Sequence, residues 1–246
     1  MKGAPQLDVY WGDERVGSIY DASPLAFEYA PAWLTRAQPF AVAAIALQSG
    51  RTDAPEVQAY FENLLPEGEL RQTLVTQKKA STLFALLHAI AGDTAGGFVI
   101  LPAGQTPGPA RYEATTWEAL GQRLRQPAVV AMDLKGVGAR ISLAGAQDKT
   151  TLALFADGLP RLPKGTAPST HILKPDIQRL SKVWHSAANE TLVMRIAAEC
   201  GLPTAKVFYE PHTHACVVHR FDRWLRDDGT LGRLIQYDFC QLARAT

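Results

Sequence analysis

This sequence predicts an α+β fold: an antiparallel, β-rich N-terminal region that carries helices, then a small antiparallel sheet with one packed helix. Three observations predict it. Alternating runs flank short polar turns near both ends: Leu7 to Trp11 and Arg15 to Tyr20 around Gly12-Asp13-Glu14, and Lys206 to Glu210 and Cys216 to Arg220 around Pro211-His212-Thr213-His214. Ile141 to Leu143, Thr151 to Phe155 and Leu159 to Leu162 read as a meander turned at Gly145 and at Asp157-Gly158. Ser186 to Cys200 has helical spacing, with Leu192, Ile196 and Cys200 on one face, Val193 and Ala197 beside them, and Gly201 as the stop.

The remaining elements follow in chain order. Leu25 to Tyr29 adds a third strand to the first hairpin. Phe40 to Leu47 is apolar throughout and fits either a buried strand or a short core helix. Pro55 opens a helix that runs to about Leu65, where Pro66 stops it. A second helix reads from Gly68 to about Gln77, and Ser81 caps a third over Thr82 to Ala91, ended by Gly92. Gly97 to Leu101 is a strand. Gly104, Pro107, Gly108 and Pro109 form an exposed loop or linker, which divides the chain into 1–110 and 111–246. Thr115 to Glu118 reads as a capping box for a helix to about Arg125. His171 to Lys174 is a short strand closed by Pro175, Arg223 to Gly232 a charged loop, and a last helix starts near Tyr237.

The bulk numbers exclude several classes. With 246 residues, 47% hydrophobic and 20% charged, the chain has the composition of an ordinary globular protein. A net charge of +1 gives no global electrostatic case for nucleic acid or membrane. Three scattered cysteines argue against a disulfide framework and for a reducing cytoplasm. Cys200 and Cys216 sit in apolar runs and are expected to be buried, inert thiols. No signal peptide is evident, and the longest apolar run is far too short to span a bilayer.

The candidate chemistry centres on Arg140 to Thr151. A strand meets Gly145, where the backbone can turn without a side chain to clash. Exposed N–H groups in such a loop, with Lys149 beside them, can cradle phosphate oxygens; a plain hairpin has the same signature. Lys174, at the end of an apolar strand, is a phosphate anchor or a strand-end lysine reaching solvent. Glu190 on the following helix is its candidate partner, or else a first-turn glutamate favoured by the helix dipole. His212 and His214 could ligate a metal but sit in a turn with no third ligand nearby in sequence, so they read as solvated turn histidines. Among the tryptophans, Trp184 lies in a polar stretch and is the candidate exposed contact.

Taken in order, Trp11 through Gly17, Tyr29 to Leu34, Asn63-Leu64-Leu65-Pro66-Glu67, Gly92-Asp93 through Pro102, the Gly145 stretch, Pro163-Lys164-Gly165, Ser169 to Pro175, Asn189-Glu190 and Val217 to Arg223 resemble the HipA family. These are bacterial serine/threonine kinase toxins of toxin–antitoxin pairs. The resemblance covers nearly the whole chain. It implies an N-terminal coupling region over 1–110 and a kinase-like nucleotide-binding lobe over 111–246, in the cytoplasm. It implies ATP and Mg²⁺ as cofactors, with Ala144, Gly145, Ala146, Gln147 and Lys149 as the phosphate loop and Lys174, paired with Glu190, on the phosphates. The backbone of His219 and Phe221 would hold adenine, although glutamate often stands where this chain has His219. Ser142 matches an autophosphorylation site, where added charge would disrupt a loop that accepts ATP.

The family's base and metal-binding aspartates lie in a C-terminal helical lobe whose motif does not occur here, and Asp222 reads as a structural ion-pair partner. No catalytic residue and no metal ligand is therefore assigned. The implied function is a HipA-like kinase toxin that phosphorylates a translation-related protein such as an aminoacyl-tRNA synthetase, here as a fragment inactive alone. Its implied partner is a HipB-like helix-turn-helix antitoxin, through which any DNA contact is indirect. The alternative is a non-catalytic nucleotide-binding or antitoxin-binding module; a structural protein with no nucleotide site is the third reading.

Overall fold

The computed structural model describes residues 5–65, 67, 71–72, 75–76, 79–94, 96–125, 149–177 and 183–243. It is an α+β protein. The described residues fall into two compact units, one formed up to Gly108 and again from Arg233, the other from Pro109 to Gly232.

In the first unit, β1 (Gln6–Trp11) and β2 (Glu14–Tyr20) pair antiparallel across Gly12-Asp13. Gly12 sits at φ +59°, a conformation open to glycine at no steric cost. β3 (Ala26–Tyr29) follows, then α1 (Pro31–Leu34), β4 (Arg51–Thr52), α2 (Pro55–Glu62), α3 (Leu83–Ala89), β5 (Gly92–Asp93) and β6 (Val99–Pro102). The sheet order is β4-β3-β2-β1-β6-β5, antiparallel throughout. Leu7, Val9, Val16, Ile19 and Phe27 bury one face against Trp33, Tyr60, Phe61, Leu87 and Phe98. Pro55 stands at the start of α2, as expected. Phe40 to Leu47 is neither strand nor helix. It is an irregular segment that inserts Val42 and Ile45 into the core and is held by Tyr29, whose hydroxyl accepts from the Val42 N–H at 2.8 Å and donates to the Ile45 carbonyl at 2.8 Å. One side chain thus replaces a ladder of backbone bonds. The cap of α3 is Thr82, not Ser81: its hydroxyl accepts from the Ala85 N–H. Most of the helix expected from Gly68 to Gln77 lies outside the described residues.

In the second unit, β7 (Arg111–Ala114), α4 (Trp117–Leu124), β8 (Thr150–Leu154), β9 (Pro160–Lys164), β10 (His171–Pro175), α5 (Ser186–Glu199), β11 (Val207–Glu210) and β12 (Ala215–His219) follow in order. They make an antiparallel sheet, β11-β12-β10-β8-β9-β7. Leu152, Leu162, Leu173 and Val217 face Leu120 of α4 to form its core. The cap of α4 is Thr116 rather than Thr115, accepting from the Ala119 N–H at 3.1 Å. α5 packs on the sheet through Ala187 and Thr191, while Leu192, Val193, Ile196 and Cys200 are exposed. The expected core face of this helix therefore points away from the sheet, because close approach to β12 is made by small residues. Cys216 is buried, as expected, and burial pushes its thiol up; Cys200 is not buried.

The stretch read as a charged loop contains two short strands, β13 (Arg223–Leu225) and β14 (Leu231–Arg233), turned at Asp228-Gly229. The chain ends its described course in α6 (Phe239–Ala243), and Tyr237 just before it donates to the Ala41 carbonyl of the first unit at 2.9 Å.

Candidate functional site

The site grows from β10. Its alternation puts Ile172 and Lys174 on one face of the sheet and His171 and Leu173 on the other. Lys174 pairs with Cys216 across the ladder, on the face that α5 covers. Its ammonium donates to Glu190 Oε1 at 2.6 Å, and the two side chains are 24% and 25% exposed. Glu190 lies in the second turn of α5, past the reach of a first-turn dipole effect, so the ion pair rather than the dipole accounts for its place.

A feature that motif reading missed holds this pair in register. Asp176, one residue beyond β10, accepts from the Ala187 N–H at 2.8 Å and from the Ser186 hydroxyl at 3.3 Å. Ser186 in turn accepts from the Ile177 N–H at 2.8 Å. The residue at the helix cap itself, His185, is left-handed and provides no side-chain cap. The strand that carries Lys174 thus caps the helix that carries Glu190, and satisfies donors the helix cannot satisfy itself. A carboxylate ten residues upstream of a helix start was the available signal, but sequence spacing alone does not mark it.

Lys149 lies half-buried one residue before β8. The β8–β10 register pairs Thr150 with Leu173, the residue before Lys174. Lys174 and Lys149 thus belong to the neighbouring ends of adjacent strands, and two cations there make a place for a polyanion. Ser142, Ala144, Gly145, Ala146 and Gln147 lie outside the described residues.

His219 ends β12, and Phe221 follows at 72% exposure. The His219 imidazole faces away from Lys174. It stands edge-on to His171, with ring centroids 5.0 Å apart, on the side of the sheet occupied by Phe208 and Trp117. Burial, with His219 adjacent, holds His171 down at about 4. Beyond β12, Arg220, Asp222 and Arg223 form a buried ion cluster, consistent with reading Asp222 as an ion-pair partner.

The two turn histidines do not converge. His212 bonds Glu210 at 2.8 Å and lies 3.3 Å from Glu118, which raises its pKa, while His214 Nδ1 contacts the Tyr209 hydroxyl at 3.1 Å. Trp184 is 77% exposed. Among the described residues no helix is long and apolar enough to cross a membrane.

Comparison with known proteins extends this picture. Residues 7–101 match the HipA N-terminal domain, and residues 141–246 match the HipA-like C-terminal domain. The chain is 36% identical over 252 aligned residues to a Sinorhizobium fredii protein named "Putative kinase Y4mE", covering 96% of this chain and 58% of that protein. It is 30% identical over 225 residues to the serine/threonine-protein kinase toxin HipA of Shewanella oneidensis, covering 88% of this chain and 50% of the relative. In three dimensions it superposes on a chain of the Shewanella oneidensis complex of HipA, HipB and operator DNA with TM-score 0.76 and 26% identity, over 98% of this chain and 56% of the other. The chain spans about half the length of these relatives.

Proposed function

The chain belongs to the HipA family, and from that premise we propose that it supplies the ATP-binding part of a serine/threonine kinase toxin. The observation that carries the proposal is the Lys174–Glu190 ion pair, which joins a strand to a helix as the phosphate-binding lysine and its carboxylate are joined in kinases. The residues fit the ligand. Lys174 and Lys149 are set to meet phosphate oxygens, and the His219-to-Phe221 backbone is set to meet a purine. We propose that the Gly145 stretch is the phosphate loop and Ser142 its phosphorylation site. Mg²⁺ would neutralise phosphate charge. Among the described residues no group of three or more His, Cys, Asp or Glu gathers to hold a metal.

These residues bind and orient. Lys174 fixes phosphate charge, Glu190 keeps Lys174 extended across the sheet, and Asp222, engaged by two arginines, is not available as a base. The protein substrate we propose is a translation-related protein such as an aminoacyl-tRNA synthetase. The partner we propose is a HipB-like helix-turn-helix antitoxin, since the superposed HipA chain comes from a complex with HipB and operator DNA. Contact with DNA would then be indirect, in keeping with a net charge of +1.

Calorimetric titration with ATP tests the reading. Lys174→Ala removes a charge-assisted contact and is expected to weaken ATP binding by roughly 10- to 100-fold. Unchanged affinity would overturn the assignment.

A further inference from the structure

We propose that the buried Arg220–Asp222–Arg223 cluster is a positioning device that fixes the His219-to-Phe221 backbone for purine recognition. The inference rests on the nucleotide reading above and adds a role for residues that touch neither phosphate nor base.

The segment alternates. His219 and Phe221 are exposed, whereas Arg220 and Asp222 between and after them are buried, as is Arg223. Arg220 donates to both oxygens of Asp222, from Nε at 2.9 Å and from Nη2 at 2.7 Å. Its Nη1 donates to the Ser169 hydroxyl at 3.0 Å. Arg223 Nη1 reaches both Asp222 Oδ2, at 2.6 Å, and the Asp222 carbonyl, at 3.0 Å. The Arg220 N–H donates to the Thr170 carbonyl at 2.9 Å, and the His219 N–H to the Lys206 carbonyl at 2.8 Å.

Two consequences follow from this wiring. The backbone at the end of β12 is pinned on one edge by the Arg220 N–H on Thr170 and on the other by the His219 N–H on Lys206, and the turn at Phe221 and Asp222 is held from inside by the ion cluster; we place the His219 carbonyl and the Phe221 N–H, the two groups this leaves to a ligand, on the base. An acceptor and a donor two residues apart match the amino group and ring nitrogen of adenine. Guanine presents a carbonyl and an N–H there instead, which oppose this pattern. Moreover, Ser169 and Thr170 lead directly into β10. The cluster therefore ties the purine-reading edge to the strand of Lys174, and so sets the span between base and phosphate contacts. A fork of guanidinium on carboxylate suits that task, because its planar geometry allows one orientation and its burial shields it from solvent.

The test uses the full chain and compares ATP with GTP by calorimetry, with circular dichroism to check the fold. Wild type is expected to prefer ATP. Asp222→Asn is expected to lower ATP affinity roughly tenfold and bring the ATP-to-GTP ratio toward one, because one well-aimed hydrogen bond is lost. Should Asp222→Asn fail to fold, Ser169→Ala removes a single bond to Arg220 and is expected to shift the ratio in the same direction by less. Lys174→Ala lowers both affinities and preserves the ratio. A wild-type chain without preference for ATP, or folded variants that keep the wild-type ratio, would overturn the inference. A wild-type chain that binds neither nucleotide would overturn the nucleotide reading itself.

Discussion

Substituting Gly121 by alanine sets two effects against each other. Gly121 lies inside α4, where alanine is ordinarily favoured by about 1 kcal/mol. A Cβ built there would stand 2.1 Å from the His212 carbonyl oxygen and 2.9 Å from its carbon. Both are backbone atoms of the β11–β12 turn, so no rotamer change relieves the contact. To restore a van der Waals separation the helix must withdraw by about 1 Å, in an interior packed to crystal-like density. That movement strains the Leu120 contact with Leu173 and Val217 and stretches the Arg125 bond to the same carbonyl, now 3.3 Å. Overpacking of this kind costs about 1–3 kcal/mol, and a backbone-on-backbone clash takes the upper end. After the gain in helix propensity, Gly121→Ala should destabilise the second unit by about 2 kcal/mol. Urea unfolding followed by the fluorescence of Trp117, on the same helix, reads the change directly. A midpoint equal to or above wild type would show that propensity wins and that the close approach of α4 to the turn is not as tight as the distances state.

Three further outcomes follow from particular residues. Tyr29→Phe strips the buried Val42 N–H and Ile45 carbonyl of their shared partner, and should cost about 1–3 kcal/mol in chemical denaturation. The same burial holds the Tyr29 phenol up at about 12, so loss of less than half a kcal/mol in the variant would contradict its place in the core. Thr116→Ala should cost about 1 kcal/mol and Thr115→Ala close to none, since the hydroxyl of Thr116 alone meets the Ala119 N–H; equal costs would return the cap to Thr115. His171 is held neutral by the fold, its folded value near 4 lying below the ordinary 6.5. The unfolded chain therefore binds its proton first. The stability contributed is fully present above about pH 6.5 and is lost as pH falls toward 4. His171→Gln should flatten the stability profile in that window, and a variant with the wild-type slope would show that the imidazole charges freely in the folded state.

What the sequence determined by itself was set by local chemistry. Both hairpins, the strand of Lys174, the Asp157-Gly158 turn and the helix from Ser186 could be read because turn residues and periodicity act over a few positions. The ordered motifs also led to the family in which the comparisons place the chain. Tertiary structure decided the rest. It made Phe40 to Leu47 irregular, because the buried hydroxyl of Tyr29 on β3 satisfies the Val42 N–H and the Ile45 carbonyl. It turned the apolar face of the Ser186 helix outward, because Ala187 and Thr191 allow closer packing on β12 than leucine would. Periodicity reveals that a helix has an apolar stripe but not which surface meets the sheet. Lys174 and Glu190 lie sixteen residues apart, and only the register of β10 and the capping of α5 by Asp176 bring them to 2.6 Å. The carbonyl of His212 against Gly121 is likewise set by a turn ninety residues away in the chain, which no local pattern encodes. Such contacts depend on where strands lie in the sheet, and sheet order is a property of the whole folded chain.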